Sequence, residues 1–176
     1  TLTMTGSGTA ASANVANGIA MSSNGNLALA DGTGAASNYS LNSTVINIAK
    51  RVLTSSGSKT YDANTDALAA DITLGNLVSG EALNHSGTAT TSSANAGSYT
   101  ITNLAGITIA DGSGGAASNY TLTGGTHNFT VNQRPLNATL ARQYDGTTAA
   151  AGSTVSSFDA LQGGETLTTV SYTHLR

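Results

Sequence analysis

Ala116-Ala117-Ser118-Asn119-Tyr120-Thr121-Leu122 restates Ala35-Ala36-Ser37-Asn38-Tyr39-Ser40-Leu41, 81 residues further along the chain, and this recurrence governs how the rest is read. Outward from it, Ser93-Ala94-Asn95 restates Ser12-Ala13-Asn14 at the same spacing. Arg134 and Leu136 restate Arg51 and Leu53, and Tyr144-Asp145 restates Tyr61-Asp62, at a spacing of 83 residues; Gly164-Glu165 restates Gly80-Glu81. The order of these anchors is kept while the spacing drifts by a few residues, so insertions fall in loops and one structural unit of about 80 residues is repeated. Residues 1–49 then read as the C-terminal part of a first repeat, 50–133 as a complete repeat, and 134–169 as the N-terminal part of a third.

Within the unit, apolar and polar residues alternate with period two in Tyr99-Thr100-Ile101, Ile107-Thr108-Ile109, Tyr120-Thr121-Leu122 and Phe129-Thr130-Val131. That is the pattern of half-buried strands, with Thr on the outer face where its branched Cβ suits a pleated surface. Asp31-Gly32-Thr33-Gly34 and Asp111-Gly112-Ser113-Gly114-Gly115 lie between such runs and carry turn chemistry. Helical signal is confined to residues 65–70, too short for more than one turn. The fold class expected is all-β: tandem small β-sandwich or grasp-like sheet modules of about 80 residues, end to end. The core expected for the complete repeat is Val52, Tyr61, Ile72, Leu74, Leu77, Tyr99, Ile101, Ile107, Ile109, Tyr120, Leu122, Phe129 and Val131. The passage from Phe129 to Leu136 holds Pro135 and no flexible linker, which favours a semi-rigid rod.

Composition narrows function. Charged residues make up 9% of the 176, with 6 Lys plus Arg against 9 Asp plus Glu, and Lys50-Arg51 is the one adjacent basic pair. A surface that tracks nucleic-acid phosphates needs clustered cations, so nucleic acid is not expected as a partner. No apolar run approaches the ~20 residues that span a bilayer, so no membrane insertion of this segment is expected. Cysteine is absent, which removes disulfides, thiolate chemistry and cysteine zinc sites.

The candidate chemistry is thin. Gly112-Ser113-Gly114-Gly115-Ala116-Ala117 has dinucleotide-fingerprint spacing, but the chain runs on into a strand, where no helix N-terminus is available to meet a pyrophosphate. Calcium wants several converging carboxylates, whereas the loops of Asp31, Asp62, Asp66 and Asp111 offer little beyond one Asp each among Gly and Ser. His85 and His127 have no metal-ligand spacing. A Ser-His-Asp set can be assembled from His127, Asp111 and a serine only on paper, since no nucleophile elbow is present. No enzyme activity, cofactor or metal is expected. Tyr61, Tyr99 and Tyr120 are the candidate ligand-binding residues, because a tyrosine ring offers a sugar an apolar face and a hydroxyl rim; their place on the apolar phase of the strands also suits core packing.

Lys59-Thr60-Tyr61-Asp62 and Gln143-Tyr144-Asp145-Gly146-Thr147-Thr148 near the repeat starts, Ala94-Asn95-Ala96-Gly97-Ser98-Tyr99 in mid-repeat and Ser118-Asn119-Tyr120-Thr121-Leu122 near its end together resemble the YDG domain, a relative of MBG domains. The resemblance spans nearly all of residues 1–169. It implies tandem repeats in large exported bacterial surface proteins, notably filamentous-haemagglutinin-like adhesins of two-partner secretion systems. An extracellular or cell-surface location follows, with a role as stalk or spacer whose partners are neighbouring repeats of the same chain; the alternative expectation is a module that itself binds host glycans or matrix proteins. It supplies no catalytic residues. Ala63 stands where the second copy has Gly146, so the turn at Tyr61-Asp62-Ala63 is expected to form without positive φ. Val170-Ser171-Tyr172-Thr173-His174-Leu175-Arg176 resembles a translated sequencing adapter and is read as a non-native tail.

Overall fold

The computed structural model describes residues 1–42, 44–149 and 153–167; the adapter-like residues 170–176 lie outside these. The described chain is all-β. Its strands are β1 (Thr3–Thr5), β2 (Thr9–Ala10), β3 (Ala16–Ser23), β4 (Ala28–Ala30), β5 (Val45–Ile48), β6 (Arg51–Val52), β7 (Thr54–Thr60) and β8 (Asp66–Leu68). They continue as β9 (Ile72–Gly75), β10 (Leu83–Thr91), β11 (Gly97–Asn103), β12 (Ile107–Asp111), β13 (Tyr120–Thr121), β14 (His127–Asn132), β15 (Ala138–Ala141) and β16 (Thr154–Phe158). Three 3₁₀ turns complete the set: Ala69–Asp71, beside the stretch with weak helical signal, and Ala36–Asn38 and Ala117–Asn119, which occupy the same place in the two copies of the Ala-Ala-Ser-Asn-Tyr motif.

Seven strands form one sheet in the order β12-β10-β11-β14-β7-β9, with β8 added on β10. Because β8 directly precedes β9 in the chain and pairs with β10 near the other end of the order, the sheet is nearly closed. β11 and β14 are antiparallel, with Tyr99 opposite Phe129. β14 and β7 are parallel over six register pairs, from His127 opposite Ser55 to Asn132 opposite Thr60. All seven strands come from residues 54–132.

The chain packs as two compact units. The first comprises residues 1–54, 74–85 and 109–126. It holds the β1–β4 pair, the β2-β3-β5 sheet and the short parallel pair β6–β13. Its buried side chains include Ile19, Leu53 and Tyr120. The second unit comprises residues 55–73, 86–108 and 127 onward. Its core is Phe129 and Val131 with Ile72, Ile101, Ile107, Ala67 and Ala89. Here β14 alternates strictly, with His127, Phe129 and Val131 buried and Asn128 and Asn132 exposed. Ser55 Oγ lies 2.9 Å from His127 Nδ1 within this core.

The expected core is met at Ile72, Ile101, Ile107, Tyr120, Phe129 and Val131. It is out of phase at β6: Val52 is 38% exposed and the neighbouring Leu53 is fully buried. Leu53 continues the inward phase of β7, on which Ser55 is buried and Gly57 and Lys59 half-buried. The Lys59 side chain is only 8% exposed. Its Nζ donates to Asn64 O and Oδ1 at 2.9 and 2.7 Å and pairs with Asp62 Oδ1 at 2.8 Å. Partial burial works against the charge on Asp62, but the Lys59 ammonium and the Asn64 amide hold its carboxyl below the usual range. This tether corrects the expectation for Ala63, which takes φ +64, as Gly146 takes φ +74. Asp62 and Asn64 are both anchored to Lys59, and the residue between them is forced into the left-handed region despite its Cβ.

Pairings recur along the chain. β1–β4, β2–β3 and β3–β5 have the same order as β10–β12, β10–β11 and β11–β14, and β15–β16 follows β7–β9. Local bonds recur with them. Asp31 Oδ1 accepts from Ala36 N at 2.6 Å and Asp111 Oδ1 from Ala117 N at 2.7 Å. Ser12 and Ser93 each accept, through Oγ, from the amide two residues on at 3.1 Å.

Gly57 has no room for a side chain, because a Cβ there would lie 2.2 Å from Asp71 O and 2.9 Å from the Phe129 ring. Gly57→Ala is predicted to destabilise the fold by about 1–3 kcal/mol, read from denaturant midpoints. Ala63→Gly should act oppositely: relief of left-handed strain of about 1–2 kcal/mol, less the glycine's added unfolded-chain freedom, leaves a gain of about 0.5–1 kcal/mol in the same assay.

Candidate functional site

The second unit carries an open cleft of about 560 Å³. Tyr61 leaves β7 on the strand's inward phase, and its amide donates to Asn132 O at 2.9 Å, which extends the parallel pairing by one bond. The ring is thereby held at the cleft. Asn95 and Ala96 form part of the wall, Leu136, Leu161 and Leu167 supply apolar surface, and Arg134, Gln162 and Glu165 bring polar groups.

Those polar groups engage one another. The Tyr61 hydroxyl donates to Glu165 Oε1. This hydrogen bond, with partial desolvation and the carboxylate charge, pushes the phenol above its ordinary value. Arg134 Nη1 donates to Tyr61 O at 3.4 Å. The Gln162 amide, turned with its oxygen toward Arg134, accepts from Nε and Nη2 at 3.2 and 3.3 Å. The loop beneath is fixed by Asp159, whose carboxylate accepts from the Asn137 amide at 2.8 Å and from Asn137 Nδ2 at 3.0 Å. Among the described residues no buried side-chain nitrogen or oxygen lacks a hydrogen-bond partner.

The three tyrosines singled out in sequence are not brought together as one platform. Tyr61 lines the cleft. Tyr99 is half-buried and donates its hydroxyl to Asn95 O at 2.8 Å, so it props the wall rather than facing the opening. Tyr120, in the first unit, is 2% exposed. Its hydroxyl oxygen accepts from the Val78 amide at 3.1 Å and its O–H donates to Glu81 Oε2; the bond to Glu81 drives the phenol up, partly offset by the Val78 amide. Sequence reasoning did not single out Arg134, Gln162 and Glu165 as site residues, although Arg51/Arg134 and Glu81/Glu165 were visible as repeat anchors. Their first-copy counterparts do framework work: Arg51 Nε and Nη2 donate to Asn76 O and Oδ1 at 2.6 and 2.8 Å.

Other candidate groups are occupied by the fold. Ser55 and His127 are both buried and face each other across the β7–β14 pair, out of reach of a substrate. Asp31 and Asp111 cap their own turns, as given above. Among the described residues no group of three His, Cys, Asp or Glu is placed to hold a metal ion. No helix there is long and apolar enough to cross a membrane, which says nothing of spanning by strands.

The phenols set an alkaline limit on stability. A phenol whose folded pKa lies above its unfolded value of about 10 stabilises the fold below that value, and the contribution is lost as pH rises through the folded pKa. The melting temperature is therefore predicted to fall as pH passes about 10. Tyr61→Phe and Tyr120→Phe should each flatten that fall while lowering stability at neutral pH; melting curves from pH 7 to 11 check it.

Residues 48–128, a span that takes in β6 to β13 whole, match the family model of the YDG domain. No curated protein and no solved structure matches the chain. What the chain is similar to, over that span, is the YDG domain.

Proposed function

We propose that this chain is a stalk or spacer segment of a large exported bacterial surface adhesin, built from tandem all-β modules of about 80 residues set end to end. Residues 50–133 form the complete module, 1–49 close the one before it, and 134–169 open the one after. The match to the YDG domain supports the module, and the recurring strand pairings support the array. The observation that carries the spacer role is the internal satisfaction of the cleft: Tyr61 is bonded to Glu165 and Arg134 faces Gln162, so its polar groups serve each other. Low charge and Thr-rich faces suit a surface whose task is reach, and Pro135 between consecutive modules limits bending. The proposed location is extracellular, on the bacterial surface.

A second reading is supported by the same cleft. Its volume lies in the range of small-ligand sites, and one aromatic ring beside Arg134, Gln162 and Glu165 matches a sugar's mixture of apolar face and hydroxyl rim. Weak sites repeated along an array would gain avidity.

One pair of measurements separates the readings. Small-angle scattering of two, four and eight tandem copies of residues 50–133 should show a maximum dimension that grows in proportion to copy number; growth with about its square root would mean flexible beads. The eight-copy chain, applied to a panel of glycans and matrix proteins, should bind nothing saturably. Saturable binding that is lost in Tyr61→Ala with the fold intact would establish the second reading.

A further inference from the structure

We propose that the cleft is the receptor half of a joint between modules, and that its occupant is an Asn-Tyr-Thr strand of the third repeat, seated as Asn119-Tyr120-Thr121 is seated in the first unit. The filled seat of the first unit shows what such a surface is built to hold. There β13 pairs in parallel with β6, with Tyr120 opposite Arg51 and Thr121 opposite Val52, and the Leu53 amide donates to Thr121 O at 2.8 Å. The Tyr120 hydroxyl accepts from the Val78 amide at 3.1 Å and donates to Glu81. Asn119 completes the grip: its Oδ1 accepts from the Val15 amide at 2.9 Å, and its Nδ2 donates to Asn14 Oδ1 at 3.0 Å. In the tandem reading on which this rests, Asn119 belongs to the complete module and Asn14 and Val15 to the one before it, so these two bonds tie consecutive modules together.

The same positions, one repeat further on, line the cleft. Arg51 and Leu53 correspond to Arg134 and Leu136, Val78 and Glu81 to Gln162 and Glu165, and Asn14 and Val15 to Asn95 and Ala96. The backbone that bears them is shaped alike in the two places. Glu165 N donates to Gln162 O at 2.9 Å as Glu81 N donates to Val78 O at 3.0 Å, and Ala160 takes φ +60 where Asn76 takes φ +63. A left-handed alanine is unfavourable, so the kept angle marks a turn held to one shape by its surroundings. What differs is cover: Leu53 is fully buried where the seat is filled, whereas Leu136 is 38% exposed. Pro135 stands in the place of Val52. Because Leu53 is the donor to Thr121, and donors to one neighbour alternate along a strand, the amide that Pro135 lacks is not one the incoming strand needs. Glu165 receives the Tyr61 hydroxyl through Oε1, and its second oxygen can take the incoming phenol. Main-chain pairing supplies affinity and the phenol selectivity, as where a peptide adds to a sheet edge. A sugar offers no such ladder of amides and carbonyls.

Titration of the isotope-labelled 176-residue chain with a synthetic peptide of residues 113–123, followed by amide NMR shifts, tests this. Saturable shifts are expected at Arg134, Leu136 and Gln162. Tyr120→Ala and Asn119→Ala versions of the peptide should each bind about tenfold more weakly; since only the peptide is altered, the fold of the chain is not at stake. No shift at the cleft up to about 1 mM peptide, shifts confined to other residues, or equal binding by the Tyr120→Ala peptide would each overturn the proposal. Absence of binding beside tandem copies whose maximum dimension grows in proportion to their number would sink the joint alone and leave the spacer reading standing. Binding beside growth with the square root of copy number would uphold the seat and sink the stiff rod.

Discussion

The fold depends on the parallel pairing of β7 with β14. It brings together strands 72 residues apart, and every other strand of the seven-stranded sheet lies on the chain between them. Two features fix its register. Gly57 opposite Phe129 lets the ring lie against the backbone of β7, and the Ser55–His127 bond is made only when those residues are opposed. A one-residue slip would turn Phe129 and Val131 to solvent and leave a buried polar group unpaired. Hairpins such as β10–β11 join neighbouring segments, whereas the parallel pair joins residues 72 apart and carries the larger loop-closure entropy.

Much of this was legible in the sequence and some was not. Period-two alternation located β11, β12 and β14, since Ile101, Ile107, Phe129 and Val131 are large and apolar and their neighbours are polar. Leu83–Thr91 carried no such signal, because its inward residues near the end are Ala89 and Thr91; a small side chain and a hydroxyl bonded to Thr65 O are buried there instead. Val52 and Leu53 are adjacent apolar residues, and only the phase inherited from Ser55 and Gly57 selects the second. The left-handed Ala63 was missed because propensity argues against it, while the Lys59 tether that enforces it is a matter of three-dimensional contact. Parallel pairing has no local signature at all.

At the cleft, sequence pointed to the tyrosines and overlooked their partners. Tyr61 is at the opening, Tyr99 behind the wall and Tyr120 in a core, a division that depends on which strand edge each occupies rather than on the residue type. Arg134 and Glu165 were visible only as recurring anchors, and recurrence marks a framework role: Arg51 holds Asn76, and Glu81 receives the Tyr120 hydroxyl. The polar residues of the cleft are duplicated in structural positions elsewhere in the chain and satisfy one another, which is the ground on which the spacer role is proposed.

The most direct test of the central role given to β7 and β14 is native-state hydrogen exchange resolved to single amides. Their amides are expected to exchange only with global unfolding, at one shared free energy that is the highest in the chain. Exchange from β7 and β14 at a markedly lower free energy, with β10, β11 and β12 still protected, would contradict it.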